Sequence, residues 1–231
     1  TQDTSSAASD VYKRQSDDFI QREEPFPCGV LTRVASSHIR IGTFEYFNFR
    51  KDIDSLKLLA DYTINRHFPS IKSTKNKYQQ LLKKVQSINA ELVAKWMAVG
   101  FIHGVMNTDN TSISGETIDY GPCAFMDHYD PNKVYSYIDH QGRYSYINQG
   151  KIMFWNLSKF AESLIPILDK DSDIARNIAV DVLKDFPKIF EGEWLDKMRE
   201  KFGFSLKLKD DYRIISEFLN VENSLSNLEV I

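Results

Sequence analysis

A helical repeat of apolar residues over residues 75–100 is the feature that most limits how this chain can fold. Apolar side chains recur there about every 3.6 residues, which places them on one face of an α-helix. The apolar positions of this repeat are Leu81, Leu82, Val85, Ile88, Leu92, Val93, Trp96 and Val99. Shorter repeats of the same kind occur in residues 52–68, 152–168, 174–190 (with Pro187 inside) and 194–202. The clearest candidate strand is short, at residues 30–34, so the sequence predicts an α+β fold that is mainly helical.

Composition excludes several classes of partner. The formal net charge of the 231 residues is -3, which gives no bulk attraction to nucleic acid or to a membrane surface. No apolar run approaches the ~20 residues that a membrane-spanning helix needs. Cys28 and Cys123 lie far apart without a metal-binding spacing, so we expect buried thiols in a reducing compartment. These features predict a soluble intracellular protein, cytoplasmic in a bacterium or mitochondrial in a eukaryote.

The two ends of the chain differ from its middle. Residues 1–24 are rich in Ser, Asp and Gln and poor in apolar side chains, so we expect a flexible, non-native tail. Residues 25–204 carry the strand and helix patterns and form the predicted core. The patterns weaken over residues 205–231, which we assign only as a C-terminal extension.

A polar segment over residues 103–121 holds the best candidate site. Asp109 and Asn110 are adjacent in it, and Asp119 opens the sequence D-Y-G. Carboxylate and amide oxygens are the ligands that Mg²⁺ prefers, and Mg²⁺ keeps several waters, so two protein ligands and a phosphate chain suffice. The sequence therefore predicts a metal site formed by Asn110 and Asp119, for Mg²⁺ or Mn²⁺.

A turn at Ser114-Gly115 separates two short β-branched runs of this segment. We interpret residues 111–113 and 117–118 as the strands of a hairpin. Such a hairpin would bring the residues at its two ends together and so carry the metal site.

The same segment shares part of the protein-kinase pattern. In H-R-D-x-x-x-x-N the asparagine follows the histidine by seven residues, and Asn110 follows His103 by the same interval. The catalytic aspartate of that pattern would fall on Val105, which cannot accept a proton. Asp109 is then the nearby carboxylate. This departure indicates either a different nucleotide chemistry on a kinase-like site or an inactive kinase.

Two arginines precede this segment, at positions 33 and 40. An arginine binds phosphate oxygens through a planar pair of donors. Taken alone, Arg33 and Arg40 fit phosphate contact and structural roles equally well. We expect the nearby aromatic residues Tyr46, Phe47 and Phe49 to be core. No glycine-rich phosphate loop is present in the sequence.

Four segments together resemble the selenoprotein O family. They are LTRVASSHIRIGTFEYF (residues 31–47), LADYTINRHFP (59–69), WMAVGFIHGVMNTDNTSISGETIDYGP (96–122) and DHQGRYSYINQ (139–149). The resemblance implies a protein-kinase-like fold that binds ATP in a flipped orientation and transfers AMP to Ser, Thr or Tyr hydroxyls of proteins. It assigns catalysis to Asp109, metal binding to Asn110 and Asp119, and nucleotide contact to Arg33 and Arg40.

Members of that family carry an N-terminal lobe before the T-R-V-A motif, with a glycine-rich region, a lysine and an acidic partner. Here only residues 1–24 precede the core, so we expect part of the C-terminal lobe, with ATP bound weakly or not at all by this piece alone. Two alternatives stay open. One is an inactive pseudokinase-like scaffold, and the other is a phosphate-transferring kinase, against which Val105 argues.

Overall fold

The computed structural model describes residues 10–21 and 23–226, and its fold is mainly helical with small antiparallel sheets, as predicted. The strands are β1 (Asp10–Gln21), β2 (Pro25–Val34), β3 (Phe101–Ile102) and β4 (Ala124–Phe125). The helices are α1 (Ile41–Phe49), α2 (Ile53–His67), α3 (Lys77–Ala98), α4 (Gln149–Leu168), α5 (Ser172–Leu183), α6 (Phe186–Phe202) and α7 (Asp211–Ser226). Likeness to a protein kinase stays a prediction.

Strands β1 and β2 form an antiparallel hairpin in which Asp10 pairs with Val34 and Gln21 with Pro25. The expectation of a flexible tail over residues 1–24 is therefore wrong for residues 10–21. The sequence argument counted apolar side chains, whereas a hairpin is also stabilised by backbone hydrogen bonds, which any composition can supply. Residues 1–9 lie outside the described part of the chain.

The main core lies between α3 and α4, with α1, α2 and α5 packed around them. Leu81, Leu82, Val85 and Val93 of α3 are buried, which confirms the predicted apolar face there. Val99, the last predicted position, instead follows the end of α3 and is exposed. On α1, Phe44 packs edge-to-face against Phe160 of α4, with ring centroids 4.9 Å apart. These contacts fix α1 and α4 relative to each other, and the candidate site lies beside both helices.

The predicted helix over residues 174–190 is two helices. α5 ends at Leu183, and α6 begins at Phe186 with Pro187 in its first turn. Proline lacks a backbone N–H and disfavours helical geometry in the residue before it, but the first turn of a helix tolerates it. Pro187 therefore marks the start of α6, which also includes the separately predicted residues 194–202.

Helix α1 was not predicted, and it changes the environment of the aromatic residues near it. Ile41 and Phe44 are fully buried, and Phe47 packs against the core. Tyr46 and Phe49 instead point outward, with 55% and 89% of their surfaces exposed, so their assignment to the core is wrong. A helix nine residues long has one inner face, and these two residues lie on the outer one.

Residues 211–226 of the predicted extension form α7, which packs on α6. Met198 and Ile215 are buried between the two helices, and Asp211 accepts a 2.6 Å hydrogen bond from Nε of Arg199. The division of the chain at residues 25 and 204 remains a prediction. Within the described residues no helix is both long and apolar enough to cross a membrane. Cys28 and Cys123 are both partly exposed rather than buried as expected.

Candidate functional site

The turn after β3 places the first two candidate residues at the surface of the fold. Residues Thr108–Asn110 form one turn of 3₁₀-helix, and the side chain of Asn107 caps it by accepting a hydrogen bond from the Asn110 N–H at 3.1 Å. Asp109 is exposed. The Asn110 amide donates from Nδ2 to the Val105 carbonyl at 3.0 Å. That contact leaves the Asn110 amide oxygen as the atom available to a metal.

Asp119 forms ion pairs with both candidate arginines. Its Oδ1 lies 2.7 Å from Nη1 of Arg33, and its Oδ2 lies 2.9 Å from Nη2 and 3.2 Å from Nε of Arg40. Burial raises the pKa of the Asp119 carboxyl, but the hydrogen bonds and charges of Arg40 and Arg33 lower it more, so the pKa lies below its usual value. The structure thus brings three of the predicted site residues into one cluster, which we call the arginine–carboxylate cluster.

The hairpin predicted around Ser114-Gly115 is absent from the described residues. Residues 111–113 instead pair with the chain just before α1: the Ile41 N–H donates to the Thr111 carbonyl, and the Ile113 N–H donates to the Ile39 carbonyl. A run of β-branched residues indicates extended backbone but does not indicate which segment it pairs with. Here the pairing segment lies about 70 residues earlier in the chain. Trp96 supports the second run through a 2.9 Å hydrogen bond to Thr117 Oγ1.

His103 connects the two halves of the candidate site. Its buried ring lies with Nε2 2.8 Å from the Ile118 carbonyl, beside Asp119, and Nδ1 accepts a 3.4 Å hydrogen bond from the Val105 N–H. A neutral imidazole protonated on Nε2 satisfies both contacts at once. Because Val105 also accepts the bond from Asn110, His103 links the turn carrying Asn110 to the segment carrying Asp119.

Two buried amides of α4 position the loop, and neither was singled out in the sequence. Gln149 accepts from the His103 N–H at 3.1 Å and donates to the Phe101 carbonyl at 3.0 Å. Asn156 donates from Nδ2 to the Met106 carbonyl at 3.0 Å and to Thr111 Oγ1 at 2.9 Å. The two residues are seven positions apart, on one helical face, and both are fully buried. The sequence signal that could have identified them is a pair of polar residues, seven positions apart, within the apolar face of a predicted helix.

The metal prediction fits the residue types present. Asn110 and Asp119 offer an amide oxygen and a carboxylate, which suit a hard divalent cation. Oδ1 of Asp119 accepts one hydrogen bond, from Arg33, and keeps a second lone pair, whereas Oδ2 already accepts two, from Arg40. In the described part of the chain no group of three or more His, Cys, Asp and Glu side chains is arranged to hold a metal by itself. A cation here would therefore need oxygens from a ligand or from water as well.

Comparison with known proteins identifies the family. The family model described as protein adenylyltransferase SelO matches residues 6–227. The chain belongs to the SelO family. The SelO match begins within the first 24 residues and extends beyond residue 204, so it also covers most of the two end segments.

Curated relatives of this SelO chain carry the name protein nucleotidyltransferase YdiU. The chain is 51% identical to the one from Agrobacterium fabrum over 206 residues, which are 89% of this chain and 42% of the relative. It is 54% identical to the one from Brevibacillus brevis over 202 residues, 87% of this chain and 41% of the relative. The Clostridium botulinum protein is 52% identical over 205 residues, with 88% and 42% covered. The chain thus spans about two fifths of the length of these relatives.

Gly42 sets the position of Asp109 in this SelO chain. A Cβ atom added to Gly42 would overlap Oδ1 of Asp109 and approach its Cγ to 3.1 Å. Helix α1 and the 3₁₀ turn are therefore close enough at this point that only glycine fits without displacing the carboxylate.

We expect Gly42→Ala to lower the rate of any reaction that uses Asp109 by roughly 10²-fold, the effect of a misplacement of about 1 Å. Its effect on stability should be small, because alanine favours a helix by about 1 kcal/mol over glycine and Asp109 can rotate away. The measurements are transfer rate and urea unfolding. Gly192→Ala in α6 is the matched control, since a Cβ there meets no atom within 4 Å. Equal rates for the two variants would contradict the argument.

The folded SelO chain should lose stability as the pH falls below about 6.5 because of His103. Burial lowers the pKa of this imidazole below its usual 6.5. The folded state favours the neutral ring, so the stabilisation is complete above the unfolded-state pKa and is lost as the pH falls through it. Each unit of difference between the two pKa values corresponds to about 1.4 kcal/mol.

Urea unfolding between pH 8 and pH 5 measures this effect. His103→Gln should be less stable at pH 8 and should show a smaller further loss at pH 5. His140→Gln, which removes an exposed histidine, should keep the parent pH dependence. An unchanged pH dependence of stability in His103→Gln would contradict the role given to His103. Some pH dependence should remain in this variant, because burial also lowers the pKa of His67.

Proposed function

We propose that this chain forms part of the active site of a protein adenylyltransferase, which transfers AMP from ATP to Ser, Thr or Tyr hydroxyls of other proteins. Membership of the SelO family supports the reaction class. The observation that carries the assignment of residues is the arginine–carboxylate cluster, joined through His103 to the turn with Asp109 and Asn110. Together these supply a base, fixed positive charge and metal-ligand oxygens in one region.

Arg33 and Arg40 are the proposed phosphate ligands. Both are about one third exposed or less, and the buried Nε of Arg33 has no hydrogen-bond partner among the described residues. That donor is available to a phosphate oxygen. Preorganised positive charge in a site from which water is excluded can lower the reaction barrier by a few kcal/mol. Removing one such donor typically slows a reaction by roughly 10²–10³-fold.

Asn110 and Asp119 are the proposed ligands of Mg²⁺ or Mn²⁺. When bound, the cation would supply positive charge to the phosphate chain. The Asn110 amide is oriented for this role by its bond to the Val105 carbonyl. Asp119 is presented from a backbone with φ +57°, a left-handed conformation that aspartate tolerates better than most residues.

Asp109 is the proposed proton acceptor. The substrate hydroxyl oxygen would form a bond to the α-phosphorus, the bond from that phosphorus to the bridging oxygen would break, and pyrophosphate would leave. The hydroxyl proton would pass to Asp109. The exposure of this carboxylate supports the role, because an acceptor on another protein has to reach it.

Transfer from ATP labelled at the α-phosphate and, separately, at the γ-phosphate tests the proposal. The chain is incubated with each nucleotide, Mg²⁺ or Mn²⁺, and a mixture of acceptor proteins, with the full-length Agrobacterium fabrum relative as a parallel sample. We expect label on protein only from the α-position, and mainly in the sample with the full-length relative, because this piece alone is expected to bind ATP weakly or not at all. Label from the γ-position alone would make the protein a kinase. Label transferred by the relative but not by this chain would show that the part of the relative outside the matched region is needed for transfer. No label from either protein would favour a binding role.

A further inference from the structure

A cavity of about 430 Å³ lies between α1 and α4 and opens onto Asp109. We call it the acceptor groove. Glu45, Tyr46 and Phe49 line it from α1, and Lys159 and Glu162 line it from α4. Asp109 lines the groove as well, so a ligand bound there lies near the proposed base.

The lining of the acceptor groove is negatively charged. Glu45, Glu162 and Asp109 contribute carboxylates, and Lys159 contributes one ammonium group. That ammonium group is already 2.9 Å from Oε2 of Glu162. Glu45 has no hydrogen bond or ion pair within the described residues. The charge of Glu45 acts on Lys159 at a distance, without a direct ion pair. A carboxylate beside a cavity that is not itself ion-paired attracts a positively charged ligand.

The groove also has an exposed aromatic wall. Phe49 is 89% exposed and Tyr46 is 55% exposed, although both sit on a helix whose other face is in the core. Arg50 covers one face of the Tyr46 ring, at 5.4 Å from its centroid, and leaves Phe49 uncovered. Exposed aromatic side chains next to a cavity are typical of surfaces that bind another protein.

From these features we infer that the acceptor groove binds a positively charged segment of the acceptor protein, with a Lys or Arg side chain near the reacting hydroxyl. The inference rests on the proposed function, since it names the substrate class of the same site. Charge separates this occupant from the nucleotide: a phosphate chain would be repelled here and attracted at Arg33 and Arg40. Asp109 lines the groove, and hydrogen bonds through Val105 and His103 connect its turn to the segment that carries Asp119.

Peptide binding tests the inference independently of transfer. The probe is a short fluorescein-labelled peptide with one serine flanked by lysines, and its twin carries glutamates in place of the lysines. Fluorescence anisotropy gives the dissociation constants with the whole chain, without nucleotide. We expect the lysine peptide to bind and the glutamate peptide to bind much more weakly.

Variants locate the binding surface. The double variant Glu45→Gln with Glu162→Gln should weaken binding of the lysine peptide roughly three- to tenfold, the range expected for two partly exposed ion pairs. Phe49→Ser should weaken it as well. The matched control is Glu200→Gln with Glu217→Gln, whose carboxylates are in exposed intrahelical pairs on α6 and α7, and it should bind like the parent.

Three outcomes would overturn the inference: equal binding of the two peptides, equal loss in the control variant, or a change in self-association, by sedimentation, in place of a change in peptide binding. The α-labelled transfer assay with the same peptides separates this inference from the proposed function. Transfer without preference for the lysine peptide would contradict the role of the acceptor groove but agree with the proposed AMP transfer. Charge-selective binding without transfer would agree with the role of the groove but contradict the proposed AMP transfer.

Discussion

Replacing Asp109 by asparagine is expected to lower AMP transfer by roughly 10²–10⁴-fold, the usual contribution of a general base. Asparagine keeps the shape of the side chain but cannot take the hydroxyl proton. The fold should be unaffected, since the Asp109 side chain is exposed and the turn is capped by Asn107. The initial rate of label transfer from α-labelled ATP to protein is the measurement, together with the affinity for ATP.

Asp127→Asn is the matched control, because Asp127 is an exposed loop aspartate outside the candidate site. We expect it to transfer at the parent rate. If Asp109→Asn and Asp127→Asn transfer equally well, Asp109 is not the base. If Asp109→Asn loses ATP binding to the same extent as transfer, its role is in nucleotide binding instead.

Replacing Asn156 by alanine is expected to destabilise the fold by about 2–4 kcal/mol and to lower transfer as well. The change removes both hydrogen bonds that Asn156 makes to the loop. It leaves the Met106 carbonyl without that partner in a buried place, which costs about 1–3 kcal/mol, and it opens a small cavity in addition. Because the loop carries Asp109 and Asn110, its loosening should reduce transfer beyond the effect of unfolded protein.

Urea unfolding and transfer rate, each measured on the folded fraction, separate the two effects. Ser158→Ala is the control on the same helix, since the Ser158 hydroxyl donates only to the Phe154 carbonyl of α4 itself. It should change stability by less than 1 kcal/mol or so, as exposed substitutions usually do. Parent-like stability of Asn156→Ala would show that α4 does not restrain the loop through this amide.

The helices were predictable because each buries one face. The apolar stripe of α3 fixed both its type and its inner side, and the N-cap at Asp52 and the end at His67 agree with the predicted span of α2. Helix α1 was not predictable in this way. It is short and rich in aromatic residues, and it depends on contacts remote in sequence, such as Phe44 with Phe160.

The candidate site was predictable in its chemistry but not in its connections. Residue types and spacing singled out Asp109, Asn110 and Asp119, and their roles remain predictions. The pairing of Asp119 with Arg33 and Arg40 joins residues 86 and 79 positions apart, which no local pattern encodes. The same limit explains the incorrect hairpin, since residues 111–113 pair with residues 39–41 and not with the run that follows them.

The arginine–carboxylate cluster also joins three separate parts of the chain. Arg33 is the penultimate residue of strand β2, Arg40 precedes α1, and Asp119 follows the loop that carries Asp109 and Asn110. These pairs are partly exposed, so dissolved ions can screen them, and the Debye length shortens from about 10 Å at 0.1 M ionic strength to about 3 Å at 1 M. High salt should therefore loosen the β1–β2 hairpin from the loop as well as weaken anion binding. The ionic strength of the buffer therefore affects how the residues of the site are arranged. Anion affinities measured at different salt concentrations would then describe different arrangements of the site.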